Sequence, residues 1–515
     1  MDRTCTKLGV QQQGTGVLGA LLAIVLVTIY QSSMRHIAAN GGPPVLVILP
    51  WLPELFRFDH VNRDFFDIFS IVSLVFLFMI SWEFLSHRLE KGLVLVLVFL
   101  GLPVLYLLAQ GSAWFFDGNQ LTTPMLSWEW TRMEIGFLIM GLSLLLPWIL
   151  RLFRGWKQGA RPVMAPWRWA FTTSLQRWLS GLCFFTVILL IIFTHPFYTK
   201  PFYENWRISC AYLFSFFLFL GFPYALITNI FRAHRGEDQR DPCWVLYQIF
   251  RATGRAIIRQ NTAEVMALLR DPIHQNVLRD LLVKLFFVPL MISFLFGECG
   301  LYFRNSSFFL EGINAGIRWQ ESFNRFYEAA FHSIFVMDVS LSLIGYVTTS
   351  RWLRNKSKSV EPTVSGWMVA LMCYPPFNGI TGDYFPYDRM GGTPYALLQD
   401  PTLSMVLKAI TLLLFAIYVW ATMSFGLRFS NLTNRGLIAR GPYAVIRHPA
   451  YFSKNLAWWT ESLHLFYSPW QFVFLFCWNI VYTLRALTEE RHLKQDPDYR
   501  SYCDQVRYRF IPGVW

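Results

Sequence analysis

Apolar runs of about 20 residues, the length that crosses a bilayer as a helix, recur along almost the whole chain, with short polar stretches between them. They fall near 15–31, 67–87, 93–112, 134–153, 177–195, 208–230, 281–303, 325–349, 365–381, 403–425, 449–467 and 470–487. A shorter apolar piece at 43–56 is interrupted by Pro43, Pro44, Pro50 and Pro53 and reads as re-entrant or interfacial. The pattern predicts an all-α, polytopic membrane bundle of about 12 transmembrane helices, closed by a C-terminal helical hairpin and a polar tail. The first run follows Arg3 and Lys7 as a signal peptide would. Arg35-His36 occupies the place of a small-residue cleavage site, so the run is expected to stay as an anchor.

Loop charge gives the orientation. The loops at 88–91, 151–178, 351–358 and 428–447 and the tail are basic, whereas 113–133, 196–207, 304–324 and 382–402 carry few bases mixed with acids. With twelve spans the two sets alternate, which places both termini in the cytoplasm. Hydrophobic residues are 54% of the chain and charged ones 15%, so the net charge of +13 reads as loop bias. No compact basic domain exists to bind nucleic acid. The eight cysteines are scattered without metal-ligand spacing, which predicts small, buried, reduced thiols and no metal site. The longest extramembrane piece, 231–280, holds eight Arg and six acids with helical apolar spacing at Val265, Leu268 and Leu269, and is expected to form an amphipathic helix pair on the membrane surface. Polar motifs gather late, dividing the chain into an N-terminal membrane region, 1–320, and a C-terminal region, 321–515, whose motif core is 426–515.

Within that core, Gly441-Pro442-Tyr443-Ala444-Val445-Ile446-Arg447-His448-Pro449-Ala450-Tyr451 opens the last hairpin. Pro449 suits the first turn of a helix, and His448 then falls at its cap. The partner helix ends in Thr488-Glu489-Glu490-Arg491-His492, so arginine, histidine and two carboxylates return to one membrane face. A helix N-terminus beside Arg447 favours a carboxylate or phosphate, Glu489 and Glu490 can accept ribose hydroxyls or offset a cation, and Tyr443, Tyr451 and Trp458 offer flat faces. Read as structure alone, the same residues form an interfacial belt and a helix cap. Asp338 lies mid-span, either as a functional carboxylate or as a helix–helix hydrogen bond. Cys373-Tyr374-Pro375-Pro376-Phe377 breaks the ninth span, and the basic, aromatic tail is expected to fold over the mouth.

Gly441-Pro442-Tyr443, Arg447-His448-Pro449-x-Tyr451, Glu489-Glu490-x-x-Leu493 and Asp498-Tyr499-x-x-Tyr502-x-x-x-Val506 together resemble the isoprenylcysteine carboxyl methyltransferase family and its phospholipid-methylating relatives. The resemblance covers roughly residues 403–515. It implies an integral-membrane transferase using S-adenosylmethionine, with the cosubstrate held by Tyr443, Arg447, His448, Pro449, Tyr451, Glu489 and Glu490. The acceptor is then a membrane lipid or lipid-linked molecule. A carboxylate or phosphate acceptor, held by Arg447 or Lys454, needs little general base and is favoured, whereas a neutral one needs His448 or Glu461. Family members are far shorter, so residues 1–320 have no counterpart. The ending Tyr502-Cys503-x-x-Val506-x-Tyr508-Arg509-x-Ile511-Pro512-Gly513 also looks like that of the NADPH-using membrane sterol reductases. A non-catalytic binding or transport protein is the third reading, although a transporter would carry its polar residues near the bilayer midplane in matched halves.

Overall fold

The computed structural model describes residues 166–514 apart from 234–239, 348 and 350–354. The runs at 15–31, 67–87, 93–112 and 134–153, the piece at 43–56 and the N-terminal anchor lie outside the described residues. Helices α1 (Trp167–Thr194) and α2 (Glu204–Ala233) form a first hairpin, packed through Phe171, Trp178 and Phe222. The 231–280 stretch carries the expected pair, α3 (Pro242–Arg259) and α4 (Ala263–Arg270). Asp241 caps α3 and also binds the Arg177 side chain at 2.8 Å, which ties the pair to α1. Ile257 and Ile258 at the end of α3 are 74% and 83% exposed, the kind of apolar face that rests on lipid.

Next come α5 (Pro272–Asn314), α6 (Trp319–Val347), the short helices α7 (Val364–Leu371) and α8 (Phe377–Tyr384), α9 (Pro401–Phe425), α10 (Pro449–Ser462), α11 (Pro469–Leu493) and α12 (Pro497–Gln505). Strand β1 (Ser359–Val360) pairs antiparallel with β2 (Thr433–Asn434). Among the described residues, α1, α5, α6, α9 and α11 are long and apolar enough to cross a membrane. The expected ninth span is α7 plus α8. Its helical ladder stops at Cys373–Pro376, because two successive prolines remove two N–H donors. The hairpin is unequal. Helix α10 has 14 residues, about 21 Å against a hydrocarbon core of about 30 Å, and continues only as a 3-10 turn at Leu463–Leu465. Helix α11 starts in a capping box of Ser468 and Gln471, with Pro469 in its first turn, and its 25 residues carry Glu489, Glu490 and His492 on the final turns.

Contacts fix the directions of these helices. Glu298 meets His332 and Phe287 stacks on Tyr346, so α5 and α6 are antiparallel. Asn324 meets Lys408 and Asp338 meets Tyr418, so α6 and α9 are parallel. Thr411 meets Thr460, so α10 returns against α9. Trp478 reaches the Phe385 carbonyl and Arg491 reaches Glu361, so α11 runs against α7 and α8. The helices at the last six expected spans therefore run in alternating directions. The ends of α6, α9 and α11, the starts of α7 and α10, the β-ribbon and α12 all share one end of the bundle, the mouth. The cysteine expectation is corrected in part for the described residues: Cys299 is buried, Cys183 is exposed, and Cys210, Cys243, Cys373, Cys477 and Cys503 are half-buried.

Tight joins hold the mouth. Gly345 lies against the Phe429 backbone carbonyl, and the buried Arg435 guanidinium donates to the Gly345 carbonyl. Asp496 caps α12 and accepts from Lys358 (2.8 Å) and Asn434 (3.1 Å), so the tail is tethered to both strands of the ribbon. Two outcomes are expected. Gly345→Val forces a side chain into the Phe429 backbone and loses about 1–3 kcal/mol, lowering the melting temperature in detergent. Gly379→Ala, which meets nothing, leaves that temperature unchanged. The Lys358 hydrogen bond holds Asp496 below the ordinary carboxylate pKa. A folded-state pKa that is depressed gives a tether at full strength above the ordinary range, lost as pH falls through the depressed value. The protection factors of the amides in 497–505, with the intrinsic pH dependence of exchange divided out, should therefore fall on acidification, and Asp496→Asn should remove that fall.

Candidate active site at the mouth

Gly441, at φ 58°, turns the chain into a single 3-10 turn that buries Pro442 and Tyr443. Tyr443 packs edge-on against Phe425, and its carbonyl accepts from the Tyr502 hydroxyl at 2.7 Å. Pro449 is the first residue of α10 and His448 its cap residue, although the imidazole makes no capping bond. Instead the backbone N–H groups of Arg447 and His448 donate to the carbonyls of Tyr508 and Arg509, both at 2.9 Å. Phe510 lies against the His448 ring at 5.5 Å. The tail is thus stitched onto the motif, as the lid expectation requires.

The paired glutamates face different ways, as adjacent helical residues must at about 100° per residue. Glu490 is 1% exposed and meets three cationic side chains and an imidazole. Its Oε1 lies 3.1 Å from Arg447 Nε and 3.2 Å from His448 Nε2, and its Oε2 lies 3.2 Å from Arg509 Nε and 3.5 Å from Lys494 Nζ. Arg447, His448 and Glu490, expected to touch a cosubstrate, are committed to one another and to the tail. Glu489 instead accepts from the Tyr451 hydroxyl at 2.7 Å and lines a cleft that is partly open to solvent.

Arg485, Asn431, Thr433, Glu361 and His492 share that cleft. Arg485 is buried, donates to Asn431 Oδ1 at 2.7 Å and to the Tyr374 hydroxyl at 3.3 Å, and lies between the rings of Tyr374 and Tyr451 at 5.2 and 5.1 Å. His492 is buried, with Nε2 3.3 Å from Ser359 Oγ and Nδ1 without a hydrogen-bond partner. Reading the sequence missed these residues. Arg485 had a signal: it is a lone cation in an apolar run, four residues before Glu489 and so on its face. Glu361 and Asn431 had none, since chain crossings far apart in sequence bring them to the cleft.

Lys454 lies one turn beyond Tyr451 on α10. Its ammonium sits over the rings of Tyr418 (4.7 Å), Trp458 (5.3 Å) and Phe335 (5.8 Å), with the Tyr418 hydroxyl 3.5 Å away. That hydroxyl donates to Asp338 Oδ2 at 2.7 Å. Asp338 is thus both a functional suspect and half of a helix–helix hydrogen bond. Glu461 lies ten residues beyond Tyr451, about 15 Å along α10, within electrostatic reach of Glu328 and His332 and away from the mouth. Tyr443 and Pro449 shape the motif without lining the cleft. Of the candidates, Tyr451 and Glu489 line it directly.

A family model for phospholipid methyltransferases matches residues 402–496, which take in α9, β2, the Arg447-His448-Pro449 motif, α10 and α11. Asp338, Glu361 and Arg509 lie outside the matched stretch. No curated protein and no solved structure matches the chain. The segment that builds most of the cleft is therefore similar to the phospholipid methyltransferases, membrane enzymes related to the isoprenylcysteine carboxyl methyltransferases.

Proposed function

We propose that this chain transfers a methyl group from S-adenosylmethionine to a membrane-embedded lipid or lipid-linked acceptor. The observation that carries the proposal is the convergence of Glu489, Tyr451, Arg485 and Asn431 on one cleft at the mouth, one helical turn from Lys454. The Lys and Arg excess of the loops at this end supports a cleft that faces the cytoplasm, where the donor is dissolved.

Each group has work suited to its chemistry. Arg485, a buried guanidinium, is the partner for the donor's carboxylate. Glu489 accepts ribose hydroxyls or offsets the charge of the sulfonium. Arg447, His448, Glu490 and Arg509 frame the site by fixing α10, α11 and the tail. Methyl transfer requires the acceptor atom, the methyl carbon and the sulfur in line, so much of the rate comes from holding two substrates about 3 Å apart. A dry slot favours the step, because the positive charge on sulfur disappears as the new bond forms.

Calorimetry on the detergent-purified chain should detect S-adenosylhomocysteine binding and no NADPH binding; the reverse result would replace this reading with the reductase. Glu489→Gln and Tyr451→Phe should each weaken S-adenosylhomocysteine by about 10-fold or more with the melting temperature nearly intact, since each removes part of a charged hydrogen-bonded pair. Glu490→Gln should do the opposite. Removing the charge that Arg447, His448 and Arg509 share costs about 3–5 kcal/mol of stability, read as a large fall in melting temperature. Equal effects at the two positions would refute this division between contact and frame.

A further inference from the structure

A buried carboxylate and a half-buried ammonium next to the cleft have hydrogen-bonding capacity that the described structure leaves unused. Asp338 is 7% exposed. Its Oδ2 accepts from Tyr418, its Oδ1 has no hydrogen-bond partner, and the neighbouring Thr422 hydroxyl, 3.3 Å from the Tyr418 carbonyl, is close enough to favour the carboxylate as well. Lys454 contacts the Tyr418 hydroxyl at 3.5 Å and otherwise faces three aromatic rings, so it too has donors to spare. An unsatisfied carboxylate oxygen and a half-satisfied ammonium are costly inside a membrane unless a ligand completes them. The Tyr418 hydroxyl already shows the sense of the contact, donating to Asp338 while accepting from Lys454.

We propose that this layer is the acceptor subsite, that the acceptor is a lipid alcohol or phenol, and that Asp338 is the base that takes its proton. The inference rests on the methyl-transfer reading and moves the acceptor away from the anionic headgroup that the sequence favours. A carboxylate or phosphate would satisfy Lys454, but it has no proton for Asp338 Oδ1 and would set a second negative charge beside it. An amine has one lone pair, and a hydrogen bond from Lys454 would occupy the pair needed for attack. A hydroxyl has two: one accepts from Lys454, the other attacks, and its hydrogen points to Oδ1. The rings of Phe335, Tyr418 and Trp458 give the rest of the lipid an apolar wall. Among the residues expected to act as bases, His448 is bound to Glu490 and Glu461 is two turns farther along α10, which leaves the position to Asp338.

The step balances. The hydroxyl oxygen forms a bond to the donor's methyl carbon, the carbon–sulfur bond breaks with its electron pair on sulfur, and the hydroxyl proton passes to Asp338. The products are a methyl ether, a neutral thioether and a protonated carboxyl. Lys454 meanwhile steadies the charge that grows on the oxygen.

The test uses the full chain in phosphatidylcholine nanodiscs with methyl-labelled S-adenosylmethionine. The acceptors offered are a polyprenyl phenol, a polyprenyl alcohol, a polyprenyl phosphate, phosphatidylethanolamine and a total lipid extract. The expected product is an alkali-stable, non-basic methyl ether. Asp338→Asn, which keeps the shape and the Tyr418 contact, should lower its formation by about 10²–10⁴-fold, the usual weight of a general base. S-adenosylhomocysteine binding should be unchanged, which also shows that the variant folds. Tyr418→Phe should give a smaller loss. A chain that fails to bind S-adenosylhomocysteine would defeat the methyl-transfer reading itself. If the nucleoside binds, then the absence of any methyl ether, or ether formation untouched by Asp338→Asn, overturns the subsite alone.

Discussion

One buried carboxylate, Glu490, organises the mouth of the bundle. It stands at the end of α11 and faces Arg447 and His448 from the α10 motif, Arg509 from the tail and Lys494 from the turn between. Desolvating a charge is expensive, and only several well-placed counter-charges make such burial tolerable. The consequence is geometric: three segments distant in the sequence must meet at one point. The backbone bonds from Arg447 and His448 to the tail carbonyls then follow from a chain already brought alongside. Once this point is fixed, the helical rotation of about 100° per residue leaves Glu489 facing the cleft. Frame and contact are neighbours in the chain, separated by the turn of one helix.

Around that fixed point the polar groups form two levels. The upper level, with Glu489, Tyr451, Arg485 and Asn431, reaches water and suits a soluble, charged molecule. The lower level, with Lys454, Tyr418 and Asp338, lies among aromatic rings within the bundle. Tyr451 and Lys454 hold the levels one turn apart on a single helix, a spacing that thermal motion of the loops does not alter. Arg485, lodged between two tyrosine rings, closes the boundary between them. The adjoining break at Cys373–Pro376 has its own rationale. Irregular backbone at membrane depth is tolerated where protein covers it, and here Tyr374 is held by Asn431 and Arg485.

Much of the later half of the fold was legible in the sequence, because hydropathy reports the length of a span and prolines report where it starts or breaks. Helices α9 and α11, the broken α7–α8 pair, the α3–α4 pair and the lidding tail all follow from such local signals. The shortness of α10 does not: apolar residues continue to Tyr467, but the helix gives way at Leu463, and composition carries no mark of that change. The candidate site was legible in kind more than in role. Arg447, His448, Glu489 and Glu490 do converge, but the spacing of a motif cannot say which of two adjacent glutamates faces inward. Glu461 was grouped with the mouth because it shares a helix with Lys454, and only distance along that helix separates them. Glu361, Asn431 and His492 depend on the crossing of α11 over α7 and the ribbon, which no single segment encodes.

The short helix bears on how an acceptor reaches the lower level. Lys454 is five residues past Pro449, about 7.5 Å along the axis, so the slot is nearer the mouth than the middle of the bundle. A lipid's polar end lies close to the surface of its leaflet, and an enzyme with a reactive centre at the midplane would have to drag that end through hydrocarbon. A slot one or two turns deep removes most of this cost while still excluding bulk water. Lys454 itself is half-buried and long enough to lean toward the interface, as buried lysine stems commonly do, so it can meet an incoming polar group and carry it to Asp338. On the proposed methyl transfer, the depth of the lysine, set by where Pro449 starts the helix, would join a water-soluble donor above to a lipid acceptor entering from the side.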